Sequence, residues 1–137
     1  MIKHELIPEE GILVVKLVNA LQADDFERLR REVDAHLRMR GNLKGVMICA
    51  REFPGWQSSG AMLAHLKFVH DHHRHVARVA IVSDGAELSI LPRFAEHFVA
   101  AEIRHFDSEN MSTALTWLRG NAHAQATERI APDEPSP

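Results

Sequence analysis

Residues 46–66 run from a short apolar segment through a Pro-Gly turn into an amphipathic segment. Val46–Cys49 is apolar and typical of a buried β-strand, whereas the apolar residues after Gly60 recur at helical spacing. Pro54-Gly55 separates the two segments. The stretch therefore predicts a strand, a loop and a helix. In open α/β sheets ligands bind where loops leave the carboxyl ends of strands, so we expect a site in the Phe53–Gly60 loop.

The rest of the chain repeats this alternation. Strands are predicted at residues 1–6, 12–18, 43–49, 76–82 and 102–106, and helices at residues 59–73 and 87–99. Another helix is predicted between an Asp24 cap, with Glu27 completing a capping box, and Gly41, and a last one between a Ser108 cap and Gly120. A hairpin followed by right-handed crossovers gives a mostly parallel sheet. The expected fold is a single-domain α/β fold with four or five strands and about four helices.

The length of 137 residues suits one domain. We assign residues 1–119 to that domain. Residues 120–137 carry few large apolar side chains and end in APDEPSP, so they cannot bury enough surface to offset their ordering entropy. The prediction for residues 120–137 is a flexible tail.

Charge and composition exclude several classes of protein. A net charge of -3 argues against a nucleic-acid binder, and the apolar runs are shorter than the roughly 18 residues of a membrane span. The opening Met-Ile-Lys-His-Glu lacks the order of a signal peptide, and the single cysteine, Cys49, has no partner for an internal disulfide. We therefore expect a cytoplasmic protein in which Cys49 is inert packing.

Three sequence pieces carry a resemblance to a known family. They are Phe53-Pro54-Gly55-Trp56 after the third strand, RVAIVSDG at the fourth, and AAEIRHFDSENMSTALTWL at the end. Over roughly residues 1–119 the chain resembles the SpoIIAA-like family, relatives of the STAS domains of anti-sigma-factor antagonists. That family is similar in fold to the lipid-binding CRAL-TRIO domains as well.

The resemblance implies a non-enzymatic binding or regulatory module without a cofactor. The alternative is a small lipid- or fatty-acid-binding carrier of the CRAL-TRIO type. A protein partner and a small amphiphilic ligand both stay open as the bound species, as does a homodimer.

The resemblance also implies a phosphoacceptor. STAS antagonists carry an Asp-Ser-Ser-Gly-type motif at the start of the second helix, where a kinase modifies the serine before the glycine. The matching residues here are Gln57-Ser58-Ser59-Gly60, so the role would pass to Ser59, with Ser58 beside it. Gln57 replaces the aspartate of the motif. Ordinary N-cap roles for both serines are the alternative.

Two loop aromatics lie off any periodic stripe. Phe53 and Trp56 could form a buried lid over the core, or they could line a ligand pocket. In the second interpretation the acidic head of an amphiphile would meet the backbone amides between Ser58 and Gly60.

Five histidines fall between His65 and His75. The i, i+4 spacing that places two imidazoles on one helix face is missing among them, and Asp71 is the carboxylate in that segment. We therefore predict no metal site. The chain also lacks GxxxxGK[ST], GxGxxG and GxSxG motifs, so nucleotide hydrolysis, Rossmann-type redox chemistry and serine hydrolysis have no support.

Overall fold

A computed structural model describes residues 1–85, 91–93, 95 and 99–120. The strands are β1 Ile2–Ile7, β2 Ile12–Leu17, β3 Leu43–Cys49, β4 Val76–Val82 and β5 Glu102–Phe106. The helices are α1 Ala23–Arg40, α2 Ser59–His72 and α3 Met111–Arg119, with 3₁₀ turns at His73–His75 and Ser108–Asn110.

The five strands form one sheet in chain order. β1 and β2 are an antiparallel hairpin, and β2, β3, β4 and β5 pair in parallel. Met47 lies between Val14 and Ala80 in this register. The prediction of an α/β domain on a mostly parallel sheet is confirmed. The predicted helix at residues 87–99 lies largely outside the described residues. Within its described part, residues 91–93 are helical.

The sheet has a different cover on each face. Because neighbouring strands follow one another in the chain, right-handed crossovers place successive helices on the same face. There α1 packs Phe26, Leu29 and Val33 onto the sheet, next to α2. The opposite face packs against Trp117 and Leu118 of α3, and its buried strand residues are Ile12, Met47, Ala80, Val82 and Phe106. Trp117 is buried in this core.

Gly45 in β3 lies against Leu118 of α3. A β-carbon built on Gly45 would lie 2.7 Å from Cδ2 and 3.0 Å from Cβ of Leu118, which is fully buried. Carbon atoms in favourable contact are roughly 3.5–4.0 Å apart. The absence of a side chain at Gly45 therefore sets the depth at which α3 packs.

The predicted start of α1 is wrong. Its N-cap is Gln22, and the Gln22 backbone N–H donates to Oδ2 of Asp25 at 2.8 Å. Asp25 is thus the carboxylate of the capping box, and its side chain is buried while Asp24 is exposed. Glu27 instead accepts from Arg30 on the helix surface at 2.8 Å. Several Asp and Glu residues suit a first turn, and the sequence alone does not show that Asp25 is the one paired with Gln22.

The predicted cap of α3 is wrong as well. Ser108 opens the preceding 3₁₀ turn, and its hydroxyl donates to the carboxylate of Asp84. α3 begins at Met111, after Asn110 as N-cap. A partner on the loop after β4, which sequence spacing does not reveal, therefore holds the Ser108 side chain.

Candidate functional site

The Phe53–Gly60 loop is fixed to the segment that precedes α1. The backbone N–H of Leu21 donates to the Gly55 carbonyl at 2.8 Å, and the N–H of Gln57 donates to the Leu21 carbonyl at 2.8 Å. These bonds form an isolated parallel bridge between Leu21 and Trp56. Gly55 makes the turn possible because its φ of +83° lies in the left-handed region that favours glycine. The loop backbone thereby sets the position of Trp56.

An aromatic cluster extends from this loop to α1. The rings of Phe53 and Trp56 meet edge to face with centroids 4.9 Å apart. The indole N–H of Trp56 donates to Nδ1 of His65 in α2 at 3.1 Å. The His65 ring stacks on Phe26 of α1 with centroids 4.8 Å apart. Trp56 is 39% exposed, so it forms the outer cover of a cluster whose inner members are half-buried or buried.

An apolar cavity of about 190 Å³ lies between the sheet and the two helices α1 and α2. An engineered apolar cavity of roughly 150 Å³ in another protein stays dry and binds benzene. The cavity therefore has room for a single ring or a short chain. Its described lining comprises Ile2, Leu13, Val15, Leu17, Leu21, Phe26, Leu29, Val33, Leu43, Val46, Ile48, Phe53, His65, Phe68, Val69, His72, Val76, Ile81 and Leu91.

His65 is a neutral, polar residue in this apolar lining. Burial lowers the pKa of the His65 imidazole, because desolvation disfavours its charged form. The Trp56 indole can only donate, so Nδ1 of His65 must accept and carries no proton. A neutral imidazole with an unprotonated Nδ1 has its proton on Nε2. His65 therefore brings one N–H donor to the cavity wall.

His72 joins the two helices that cover the cavity. Its Nδ1 lies 2.8 Å from the Phe68 carbonyl oxygen, and its Nε2 lies 2.8 Å from Oδ1 of Asp34 in α1. The hydrogen bond from His72 holds the pKa of the Asp34 carboxyl below its usual value, and Arg30 at 3.3 Å acts in the same direction.

The two serines of the loop have different environments. Ser58 is the N-cap of α2, and its Oγ accepts from the backbone N–H of Ala61 at 3.1 Å. Ser59 is the first residue of the helix and is exposed. Of the residues predicted to line a pocket, Phe53 lies in the cavity wall, whereas Trp56, Ser58 and Gly60 are not among its described lining residues. Trp56 reaches the cavity indirectly, through its bond to His65.

The other histidines of the His65–His75 segment contact separate partners. His70 lies 3.2 Å from Asp71, His75 lies 3.2 Å from Asn42, and Nδ1 of His73 accepts from a backbone N–H at 2.9 Å. In the part of the chain that the structure describes, no group of three or more His, Cys, Asp or Glu residues is arranged to hold a metal ion.

Cys49, expected to be inert packing, is half-buried at the end of β3. Desolvation raises the pKa of its thiol, partly opposed by Lys16. A raised pKa keeps the thiol protonated, and the thiol is the unreactive form of cysteine.

Sequence analysis missed the helical walls of the cavity. Phe26, Phe68, Asp34 and His72 do not stand out as one group in the sequence. Phe68 and His72 are i, i+4 neighbours and stack with ring centroids 4.4 Å apart, a spacing that the sequence does show. The partner Asp34 lies on another helix, so only the fold brings it to His72.

The architecture is that of a small single-domain STAS-like module, with a mostly parallel five-stranded sheet and a cavity beneath two helices. The family model described as SpoIIAA-like matches residues 12–119, and the chain belongs to that family. A similar solved structure is the crystal structure of an uncharacterized protein with a SpoIIAA-like fold from Shewanella loihica PV-4. The two chains are 28% identical with a TM-score of 0.68, and the match covers 86% of this chain and 92% of the other.

A search of curated proteins gave no match. No helix within residues 1–85, 91–93, 95 and 99–120 has the length and apolar character needed to cross a membrane.

Proposed function

We propose that the protein is a non-enzymatic cytoplasmic binding module that holds a small apolar ligand between its sheet and the helices α1 and α2. The observation that carries this proposal is the cavity of about 190 Å³ with its almost entirely apolar lining. Membership of the SpoIIAA-like family supports a STAS-like module, which is compatible with binding. The cavity supports a specific location for binding within that general class of module.

An unfilled cavity leaves its lining side chains without packing contacts, and this loss favours ligand binding. Unfilled core volume costs about 24 cal/mol per Å³, so a cavity of about 190 Å³ corresponds to roughly 4–5 kcal/mol of missing packing. A ligand of matching shape recovers part of this free energy by restoring dispersion contacts. The same cavity is too small for a long-chain fatty acid in one piece, so the proposal favours a ring or a short chain.

Binding is a better account of this site than catalysis. The titratable residues of the described lining are His65 and His72, and each already bonds to protein groups. A general base needs a free nitrogen within reach of the proton that it removes. The cytoplasmic part of the proposal rests on the single cysteine, which has no partner for an internal disulfide.

Cyclohexane is a suitable probe for the proposed binding. At about 100 times its Kd, a ligand that binds only the folded state stabilises it by about 2.7 kcal/mol, which scanning calorimetry would detect as a higher unfolding temperature. In Val46→Phe the larger side chain would occupy the cavity, so this variant should gain no stability from cyclohexane.

Val18→Phe is the matched control, because Val18 is 46% exposed and lies outside the described lining. It should respond to cyclohexane as the wild type does. An unchanged unfolding temperature and unchanged amide shifts of wild-type protein in saturating cyclohexane would overturn the proposal.

A regulatory switch at Ser59 is a second candidate function. Both serines are exposed, and the specific observation is that the Ser58 hydroxyl accepts a hydrogen bond at the cap, whereas Ser59 is the first residue of the helix. A phosphate there would lie at the N-terminus of α2, where the helix dipole favours negative charge. Substitution of Ser59 by aspartate and by alanine tests this candidate.

A further inference from the structure

The polar side of the proposed ligand can be inferred from His65, and this step rests on the proposed binding function. His65 and Phe53 both lie in the cavity wall. The His65 ring is held from two directions, because Phe26 stacks on its face and Trp56 donates to Nδ1. The orientation of the imidazole is therefore set before any ligand arrives.

The remaining ring nitrogen has no protein acceptor among the described residues. Nδ1 and Nε2 of an imidazole point in widely different directions, so Nε2 is turned away from Trp56. The described hydrogen bonds of His65 end at Trp56. A partly buried N–H without an acceptor costs free energy that a ligand oxygen would recover. The apolar lining supplies contact area, and this donor supplies direction.

The charge of the ligand follows from the surroundings of that donor. Desolvation disfavours the charged form of His65, so its ring supplies one neutral hydrogen bond. The second titratable lining residue, His72, already uses both ring nitrogens for Asp34 and the Phe68 carbonyl. A carboxylate in the cavity would lose its hydration for a single neutral donor, and burial of an unpaired charge is very unfavourable.

We propose that the cavity selects small uncharged molecules that carry a carbonyl or hydroxyl oxygen, and that this oxygen accepts a hydrogen bond from Nε2–H of His65. Three probes of similar shape separate the effects of apolar contact, of a hydrogen-bond acceptor and of ligand charge on the affinity. Cyclohexane has no acceptor, cyclohexanone has an uncharged one, and cyclohexanecarboxylate has a charged one. Dissociation constants for wild type and His65→Phe, measured by NMR titration of backbone amides, form the comparison.

His65→Phe keeps an aromatic ring to stack on Phe26 but removes the donor. The variant should bind cyclohexanone roughly 5- to 100-fold more weakly than wild type, since the ketone oxygen would be buried without a donor. Its affinity for cyclohexane should change by less than about threefold. His70→Phe makes the same substitution at an exposed position of the same helix and should bind every probe as wild type does.

Each outcome bears on a defined claim. If cyclohexane binds wild type and His65→Phe weakens both probes equally, the role of His65 is wrong while the proposed function stands. If cyclohexanecarboxylate binds wild type as tightly as cyclohexanone, the selection for uncharged ligands is wrong. If neither cyclohexane nor cyclohexanone binds wild type, the proposed function and this inference are both overturned.

Histidine ¹⁵N NMR of the wild type gives a test that needs no variant to fold. The free protein should show His65 protonated at Nε2 and unprotonated at Nδ1, and cyclohexanone should shift the Nε2 resonance while cyclohexane should not. A His65 ring with its proton on Nδ1, or an Nε2 resonance indifferent to the ketone, would refute the assignment.

Discussion

Substitution of Gly45 by alanine tests how closely α3 packs on the sheet. The new β-carbon would stand 2.7 Å from Cδ2, 3.0 Å from Cβ and 3.2 Å from Cγ of Leu118. Relief to a normal carbon–carbon contact requires a shift of roughly 1 Å by a side chain that is fully buried. Overpacking of this kind costs about 1–3 kcal/mol, whereas replacing a strand glycine by alanine returns about 0.5–1 kcal/mol.

The expected net effect of Gly45→Ala is a loss of about 1–2 kcal/mol in the free energy of unfolding. For a domain of this size the unfolding temperature should fall by roughly 3–10 °C. Urea titrations followed by circular dichroism would give the free energy. Gly60→Ala is the matched control, because its β-carbon would meet Ser58 Oγ at an ordinary 3.6 Å inside a helix, so this variant should be neutral or more stable.

A double-mutant cycle identifies the contact responsible. Leu118→Ala alone should cost about 2–5 kcal/mol, but in that background Gly45→Ala should cost clearly less than it does in the wild type, because Cδ2 and Cγ are gone and only the Cβ contact at 3.0 Å remains. The reasoning fails if Gly45→Ala is as stable as wild type, or if its cost is the same with and without the Leu118 side chain.

Three further predictions follow from other residues. The pKa of the Asp34 carboxyl is lower in the folded state than its ordinary 3.8, so ionised Asp34 stabilises the fold above that pH, and this stabilisation is lost as the pH falls through the folded-state pKa. The urea midpoint of the wild type should therefore exceed that of Asp34→Asn by less as the solution is acidified. A difference that stays constant with pH would contradict this prediction. If Ser59 is a phosphorylation switch, Ser59→Asp should lose a protein partner in pull-downs from host lysate, whereas Ser59→Ala should keep it. Ser112→Asp, which places the same charge at the exposed start of α3, is the control and should also keep the partner. Identical partner sets for all variants would refute the switch at Ser59. Deletion of residues 121–137, which lie outside the described residues, should leave the unfolding temperature within a few degrees, and a large drop would show that this segment docks.

Apolar periodicity was sufficient to place the five strands and the helices α1, α2 and α3, apart from the exact helix starts. The run at Val76–Val82 and the helical spacing after Gly60 each matched the described element to within about a residue. Helix starts were less predictable, because caps depend on tertiary partners. Gln22 is the N-cap of α1 in place of Asp24, with Asp25 completing the capping box in place of Glu27, and the Ser108 hydroxyl bonds to Asp84. Local patterns carry no information about such partners.

The sequence likewise predicted one part of the candidate site and not the rest. Phe53 was singled out because it lies off any periodic stripe, and it does line the cavity. The cavity itself is a mismatch in volume between α1, α2 and the sheet, which depends on helix placement to within an ångström. His65 had been considered only as a metal ligand. The hydrogen bond between His65 and Trp56 joins a helix to a loop, so no sequence spacing predicts it.

The dependence of one sheet face on α3 has a consequence during synthesis. The apolar side chains of Ile12, Met47 and Ala80 leave the ribosome well before Leu118, which covers them. Translation proceeds at about 5–20 residues per second, so the half-covered sheet persists for seconds before α3 can dock. A nascent chain in that state presents a flat apolar surface that favours aggregation and chaperone binding. Completion of this sheet face is therefore tied to α3, although the other face can already be packed.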